Sequence, residues 1–204
     1  MCDITRYMEP TVHPHVYTMQ DRVALISKMI DSSVRKPQKN NEGQQYMLRD
    51  FVLRDVVSGT ADHGGSAEKE EVLRVFKWVK SAIAYKQDPR DYDYYAAAGR
   101  TINARGGDCD DHTILICAML SSIGYITGAK VVAGDGKSWH IYALVGLPRA
   151  NPTYVLALDT TQPGSFVGWE PDLGRYRAYE IQTTFANGRH SPIVTNRWAG
   201  KVPK

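Results

Sequence analysis

The sequence predicts an α+β fold in which a helical first half packs on an antiparallel sheet drawn from the second half. Apolar residues recur every three or four positions up to about Gly124 and fall into short strand-like runs after it. Helices gathered ahead of strands argue against a βαβ array, whose elements would alternate along the chain. Between the halves stands the most apolar run, Ile114 to Leu120, which reads as one buried helix.

Residues 1 to 18 read as an irregular arm around Pro10-Thr11-Val12-His13-Pro14-His15. From Gln20 to about Val34, Val23, Ile26, Met29, Ile30 and Val34 keep helical spacing. The polar patch Lys36 to Gly43 breaks this helix, and a second is expected over Gln44 to Val57. The loop Ser58 to Gly65 follows. Ser66 then opens a third helix, with Glu68, Glu70 and Glu71 suited to the positive helix end. Val72, Phe76, Val79 and Ile83 form its buried stripe. A Tyr-rich loop, Tyr85 to Tyr95, leads toward the central helix, which Gly124 is placed to stop. Strands are expected at Lys130 to Ala133, Ser138 to Val145, Tyr154 to Asp159 and Tyr176 to Ile181. The domain reading is an N-terminal arm or subdomain (1–65), a core (66–182) and a C-terminal extension (183–204).

The 204 residues suffice for one domain with an appendage, and 43% hydrophobic content for a core. A net charge of +3 with scattered Lys and Arg leaves no electrostatic footprint for nucleic acid. The seven-residue apolar run Ile114 to Leu120 is far short of a membrane span. Cys2, Cys109 and Cys117 make no disulfide framework and no CxxC pair, which suits a reducing compartment. With no apolar leader at the N-terminus, the expected location is the cytoplasm.

The chemistry centres on Gly106-Gly107-Asp108-Cys109-Asp110-Asp111-His112. This segment puts Cys109 in the first turn of the central helix, where unpaired N–H groups and the macrodipole favour thiolate and can receive an oxyanion. Asp108 is placed as the N-cap. The three carboxylates oppose this by raising the thiol's pKa, so an adjacent imidazolium is needed to offset them. Cys117, mid-helix among Ile116 and Ala118, reads as a small core residue.

A base and its orienter are offered by two strands. His140, Tyr142 and Leu144 share one face, and Val155, Ala157 and Asp159 share one face of the next strand. A hairpin centred on Gly146 to Thr153, with paired residue numbers summing to 299, sets His140 directly opposite Asp159. Cys109, His140 and Asp159 then supply a thiol nucleophile, a base and its orienter. His112, three residues past Cys109, is a rival base, or a zinc ligand beside Cys109 and His140. Tyr85 and Trp139 are candidates for a second oxyanion donor.

In this order and context, Gly107 to His112, Ser138-Trp139-His140-Ile141-Tyr142 and Ala157-Leu158-Asp159-Thr160-Thr161 resemble the transglutaminase-like superfamily of papain-like thiol enzymes. The resemblance covers roughly residues 70 to 170. It implies a helix bearing Cys109 packed on an antiparallel sheet carrying His140 and Asp159, and acyl chemistry at an amide without a cofactor. Gly168-Trp169-Glu170-Pro171 further resembles small members encoded by tailed phages and prophages, which would place the protein in host cytoplasm or virion. Asp110 departs from the aromatic that commonly follows the animal transglutaminase cysteine, and 204 residues leave no room for those enzymes' β domains and calcium sites. Crosslinking is therefore disfavoured against hydrolysis of a peptide or isopeptide amide. The expected partner is a protein or peptide substrate, with no nucleic acid and no membrane. The alternative is a structural or assembly protein, a phage structural protein among the candidates, that uses the fold without catalysis.

Overall fold

The computed structural model describes residues 19–60, 65–89, 93–133, 139–171, 177–186 and 189–195. The expected arm, the tip of the Ser58 to Gly65 loop, part of the Tyr-rich loop and the tail Arg197 to Lys204 lie outside these residues. The helices are α1 (Met19–Arg35), α2 (Leu48–Phe51, continued by a π segment Val52–Val56), α3 (Gly65–Ala82), α4 (Ala98–Ala104) and α5 (Cys109–Ser122). Short strands β1 (Gln38–Lys39) and β2 (Gln45–Tyr46) pair antiparallel, and β3 (Ala84–Tyr85) pairs parallel with β4 (Gly106–Gly107). The main strands are β5 (Thr127–Ala133), β6 (Trp139–Leu147), β7 (Tyr154–Leu158), β8 (Arg177–Ala186) and β9 (Arg189–Thr195). They form an antiparallel sheet in the order β7-β6-β5-β8-β9.

α5 is apolar on every side, and from Asp110 to Ser122 every residue is buried. Such a helix must sit inside the protein. Ile26 and Ile30 of α1, Leu48 and Val52 of the α2 segment, and Val72, Val75 and Val79 of α3 pack into the same core. Opposite them, Ala129, Val131, Ile141, Ala143 and Val145 form the inner face of the sheet. Tyr142, Leu144, Ala157 and Val132 form a smaller cluster on the outer face, as the alternation along β6 requires. Each fully buried Leu, Ile or Val contributes roughly 1.5–3 kcal/mol, so the α5–sheet contact is the main stabilising layer. Cys117, with no exposure, belongs to that layer.

Gly124 ends α5 as expected. Its φ is +97°, its N–H donates to Ser121 O at 3.0 Å, and the Tyr125 N–H donates to Leu120 O at 3.1 Å. These two bonds are a Schellman motif, which a left-handed glycine permits.

Three expectations are corrected. The polar patch after α1 supplies the first strand and the turn of the small β1–β2 hairpin, closed by Asn40, whose side-chain oxygen accepts from the Glu42 and Gln44 N–H groups. The second helix is shorter than expected, because Gln45 and Tyr46 are taken by β2. The third correction concerns the hairpin register. Leu147 pairs with Tyr154 and Leu144 with Ala157, so paired numbers sum to 301 rather than 299. Leu147 is buried, β6 runs two residues past the expected Val145 to reach it, and Pro148, which has no N–H to donate, stops it. The shift is two residues. An even shift preserves which face each side chain occupies.

β8 runs across the expected 182/183 boundary, and β9 pairs with it along the sheet edge. No described helix is long and apolar enough to cross a membrane.

Candidate active site

Cys109 is the first residue of α5 because Asp108 caps it. Asp108 has extended backbone (φ −94°, ψ −159°), and its side chain accepts from the Asp110 N–H at 3.2 Å. Gly107 lets the chain enter tightly: a Cβ there would lie 2.5 Å from Asp111 Cβ and 2.6 Å from Asp111 Oδ2. The β3–β4 pair holds this entry, with the Lys86 N–H donating to Gly107 O at 2.8 Å.

The thiol is partly buried and pushed up to about 12. Burial is the main cause and the charge of Asp108 the next, while hydrogen bonds from the Ile141 and Cys109 backbone act the other way. The Ile141 contact sets the thiol against β6 one residue from His140. Tyr85, 55% exposed, lies beside it; burial raises its pKa first and the charge of Cys109 next.

Asp159 lies one residue beyond β7, diagonal to His140 rather than opposite it. Diagonal neighbours on one face are within reach of longer side chains, and His140 Nε2 meets Asp159 Oδ2 at 2.7 Å. With a carboxylate accepting at Nε2, that nitrogen carries the proton and Nδ1 presents the lone pair. Asp159 has no exposure, and burial alone would raise its pKa. Hydrogen bonds from His140 and Thr161 outweigh burial and hold it below the usual carboxylate value. Its Oδ1 accepts from the Thr161 N–H at 3.0 Å and Thr161 Oγ1 at 2.7 Å. Asp159 is thereby kept ionised and fixed.

His112 does not join the His140–Asp159 pair as a base. Its Nδ1 lies 2.8 Å from Thr160 Oγ1, tying α5 to the segment after β7, and it is buried. Burial lowers its pKa, against the opposing pull of the Ala84 backbone, and Nε2 lacks a partner of good hydrogen-bond geometry.

Asp108, Asp110 and Asp111 are all buried, with donor oxygens within 4.8 Å of one another. Among the described residues these carboxylates are the cluster spaced to surround a cation, and Cys109, His112 and His140 are not part of it. Asp111 Oδ1 accepts from the Ala96 N–H at 2.8 Å, whereas Asp110 Oδ1 is buried without a partner. Burial is the main cause pushing Asp111 up to about 8, and it raises Asp110 well above the ordinary range. At the rim, burial and the charge of Asp108 take Asp88 up to about 6.

The site includes residues that the sequence reading missed. Thr161 is one, and Asp-x-Thr is a legible signal because aspartate commonly accepts from the backbone two residues on. Lys80 and Ser165, which brace the same segment, are brought to it only by the tertiary fold.

His140 and Asp159 meet at 2.7 Å, and the residue after His140 supplies the backbone group that hydrogen-bonds the helix-start Cys109, all on an α+β scaffold. Residues 56–150 match the family model described as the transglutaminase-like superfamily, a span that includes Cys109 and His140 and stops short of Asp159. A solved "putative protease" from Parabacteroides distasonis aligns with a TM-score of 0.52 and 10% identity, over 85% of this chain and 30% of that one. A solved "putative cysteine protease" from Cytophaga hutchinsonii aligns with a TM-score of 0.46 and 14% identity, over 97% of this chain and 62% of that one. The chain thus spans less than two thirds of either structure's length. No curated protein matches the sequence. The fold is that of the transglutaminase-like, papain-like class.

Proposed function

We propose that the protein is a thiol hydrolase of peptide or isopeptide amides, with Cys109 as nucleophile, His140 as base and Asp159 as the residue that orients it. The observation that carries this reading is the 2.7 Å His140 Nε2–Asp159 Oδ2 contact, one residue from the backbone group that hydrogen-bonds the Cys109 thiol. Nδ1 accepts the thiol proton as sulfur attacks the amide carbonyl, and returns it to the leaving amine. The Cys109 N–H at the start of α5 receives part of the oxyanion charge. Water then repeats the sequence on the thioester and releases the acid. The transglutaminase-like match over residues 56–150 supports the same chemistry.

The test is alkylation of Cys109 by iodoacetamide near pH 7, read by intact mass. An imidazolium at about 4 Å stabilises thiolate by roughly 4 kcal/mol at an effective dielectric of 20, equivalent to about three pK units. His140→Ala is expected to slow the reaction by two to three orders of magnitude. Equal rates in variant and wild type would remove His140 as the base. Peptide-library turnover, abolished in Cys109→Ala, then separates hydrolysis from a purely structural use of the fold.

A further inference from the structure

We propose that Lys80 is a positioning residue, whose ammonium gathers the 159–165 segment and so fixes Asp159 against His140. It rests on the triad reading for its consequence in catalysis, though not for the geometry it concerns.

Lys80 projects from the last turn of α3, distant in sequence from the site. Its Nζ donates to Gln162 O at 3.1 Å, Ser165 O at 2.7 Å and Ser165 Oγ at 2.7 Å. An ammonium has three donors and no acceptor. All three are spent on one short loop, and no described carboxylate forms an ion pair with it. The Phe76 ring lies 5.5 Å from Nζ, so the ammonium is held between a core aromatic and the loop.

Ser165 passes the constraint on. Its hydroxyl accepts from Lys80 and donates to the Asp159 backbone O at 2.5 Å, and the residue is buried. Lys80, Ser165 and Asp159 thus form a hydrogen-bonded chain that ends on the backbone of the residue holding His140. The Asp159 carboxylate is fixed by Thr161, and the next residue, Thr160, is tied to His112 on α5. Lys80 supplies the remaining tie, on the far side of the loop and from a different helix. Without it, residues 162–165 keep the Ser165 hydroxyl bond to Asp159 O and the weak Ser165 N–H to Gln162 O turn bond, at 3.3 Å, both internal to the segment.

The test compares wild type, Lys80→Met and Ser165→Ala by two readouts. One is the imidazole N–H proton resonance of His140, which a bond to a buried carboxylate shifts far downfield and which Asp159→Asn assigns. The other is the iodoacetamide rate of Cys109 near pH 7. Lys80→Met is expected to broaden or abolish the resonance and to slow alkylation by on the order of tenfold to a hundredfold, the usual cost of roughly 1 Å of misplacement. Ser165→Ala is expected to move both the same way by less. A sharp, unshifted resonance in folded Lys80→Met overturns the proposal, even where the melting temperature has dropped. Should Lys80→Met fail to fold, an unchanged resonance in Ser165→Ala overturns it instead. A lost resonance in Lys80→Met, with His140→Ala alkylated as fast as wild type, would leave the positioning role standing while the triad reading fails.

Discussion

Replacing Asp108 with Asn isolates what the acidic helix start costs the nucleophile. Burial is the main cause holding the Cys109 thiol at about 12, and the Asp108 charge is the second. Asn caps a helix about as well as Asp, and an amide oxygen can still accept the Asp110 N–H bond now 3.2 Å long. The substitution therefore removes the charge while keeping the cap. A unit charge about 7 Å away at an effective dielectric of 20 is worth roughly 2 kcal/mol, and the thiol's partial exposure reduces this to about one pK unit. The assay is the pH dependence of iodoacetamide alkylation in a Cys2→Ser background, followed by intact mass. The midpoint of the alkaline limb is expected to fall by about one unit. The neutral-pH rate should rise only about threefold, since a less basic thiolate is also a weaker nucleophile, with a Brønsted slope near 0.4–0.5 for thiol exchange. Asp110→Asn is the control. Burial raises its carboxyl well above the ordinary range, so its removal should move the midpoint less. An unmoved or higher midpoint in Asp108→Asn would refute the electrostatic account.

Two further outcomes concern the same helix start. Asp111 has a folded value of about 8 against an ordinary 3.8, so the folded state holds that proton more tightly than the unfolded chain. Its contribution to stability is full below about pH 4 and is lost as pH rises through about 8. Asp111→Asn should flatten that decline, making the variant more stable than wild type at pH 8.5 by on the order of a few kcal/mol. Urea unfolding at pH 5 and pH 8.5 reads this, and a wild-type slope in the variant would count against burial as the cause. Gly107→Ala places a Cβ within 2.6 Å of Asp111 Oδ2, forcing the start of α5 to shift. A loss of about 1–3 kcal/mol in urea unfolding is expected, since no rotation of Asp111 moves its Cβ, 2.5 Å away, and no loss would mean that the entry into α5 shifts without cost.

Much of the architecture was legible because it rests on periodicity. α1, α3 and α5 are long and apolar on a regular spacing, so Ile26, Ile30, Val72, Phe76, Val79 and the Ile114 to Leu120 run could be placed in the core from spacing alone. The Asp108 cap and the Gly124 stop were legible because both are local backbone chemistry. β1, β2, β3 and β4 were not, since two-residue strands carry no periodic signal. β9 was missed for a different reason. Arg189 to Thr195 contains Pro192, which argues against a central strand, and the structure accommodates it at the sheet edge. Within the site, parity along β6 predicted a shared face for His140 and Asp159, whose side chains meet at 2.7 Å, while the exact register depended on whether the strand ends at Val145, as expected, or at Leu147, as it does. Lys80 has no local signature at all; its partners are 82 and 85 residues away.

The two-residue register shift does more than preserve a face. On β6 the Gly146 N–H donates toward β5, to Ile126 O at 2.9 Å, while Leu147 O accepts from Thr153 on the β7 side. Donors alternate along an antiparallel strand, so the N–H of Ile141, five residues from Gly146, points to the β7 side. In the 301 register Ala143 pairs with Leu158, the last residue of β7, and the place opposite Ile141 falls beyond the strand. The Ile141 N–H is thereby left for the Cys109 thiol. In the 299 register Ile141 would have faced Leu158 and spent that N–H on its carbonyl, closing the ladder where the thiol now sits. The early end of β7 accounts for both halves of the site. It frees the backbone donor that meets sulfur, and it releases Asp159 into a loop that Thr161, Ser165 and Lys80 can hold diagonal to His140. A site assembled at the end of a strand needs such external ties, because the ladder that fixes every earlier residue of β7 stops one position before its carboxylate.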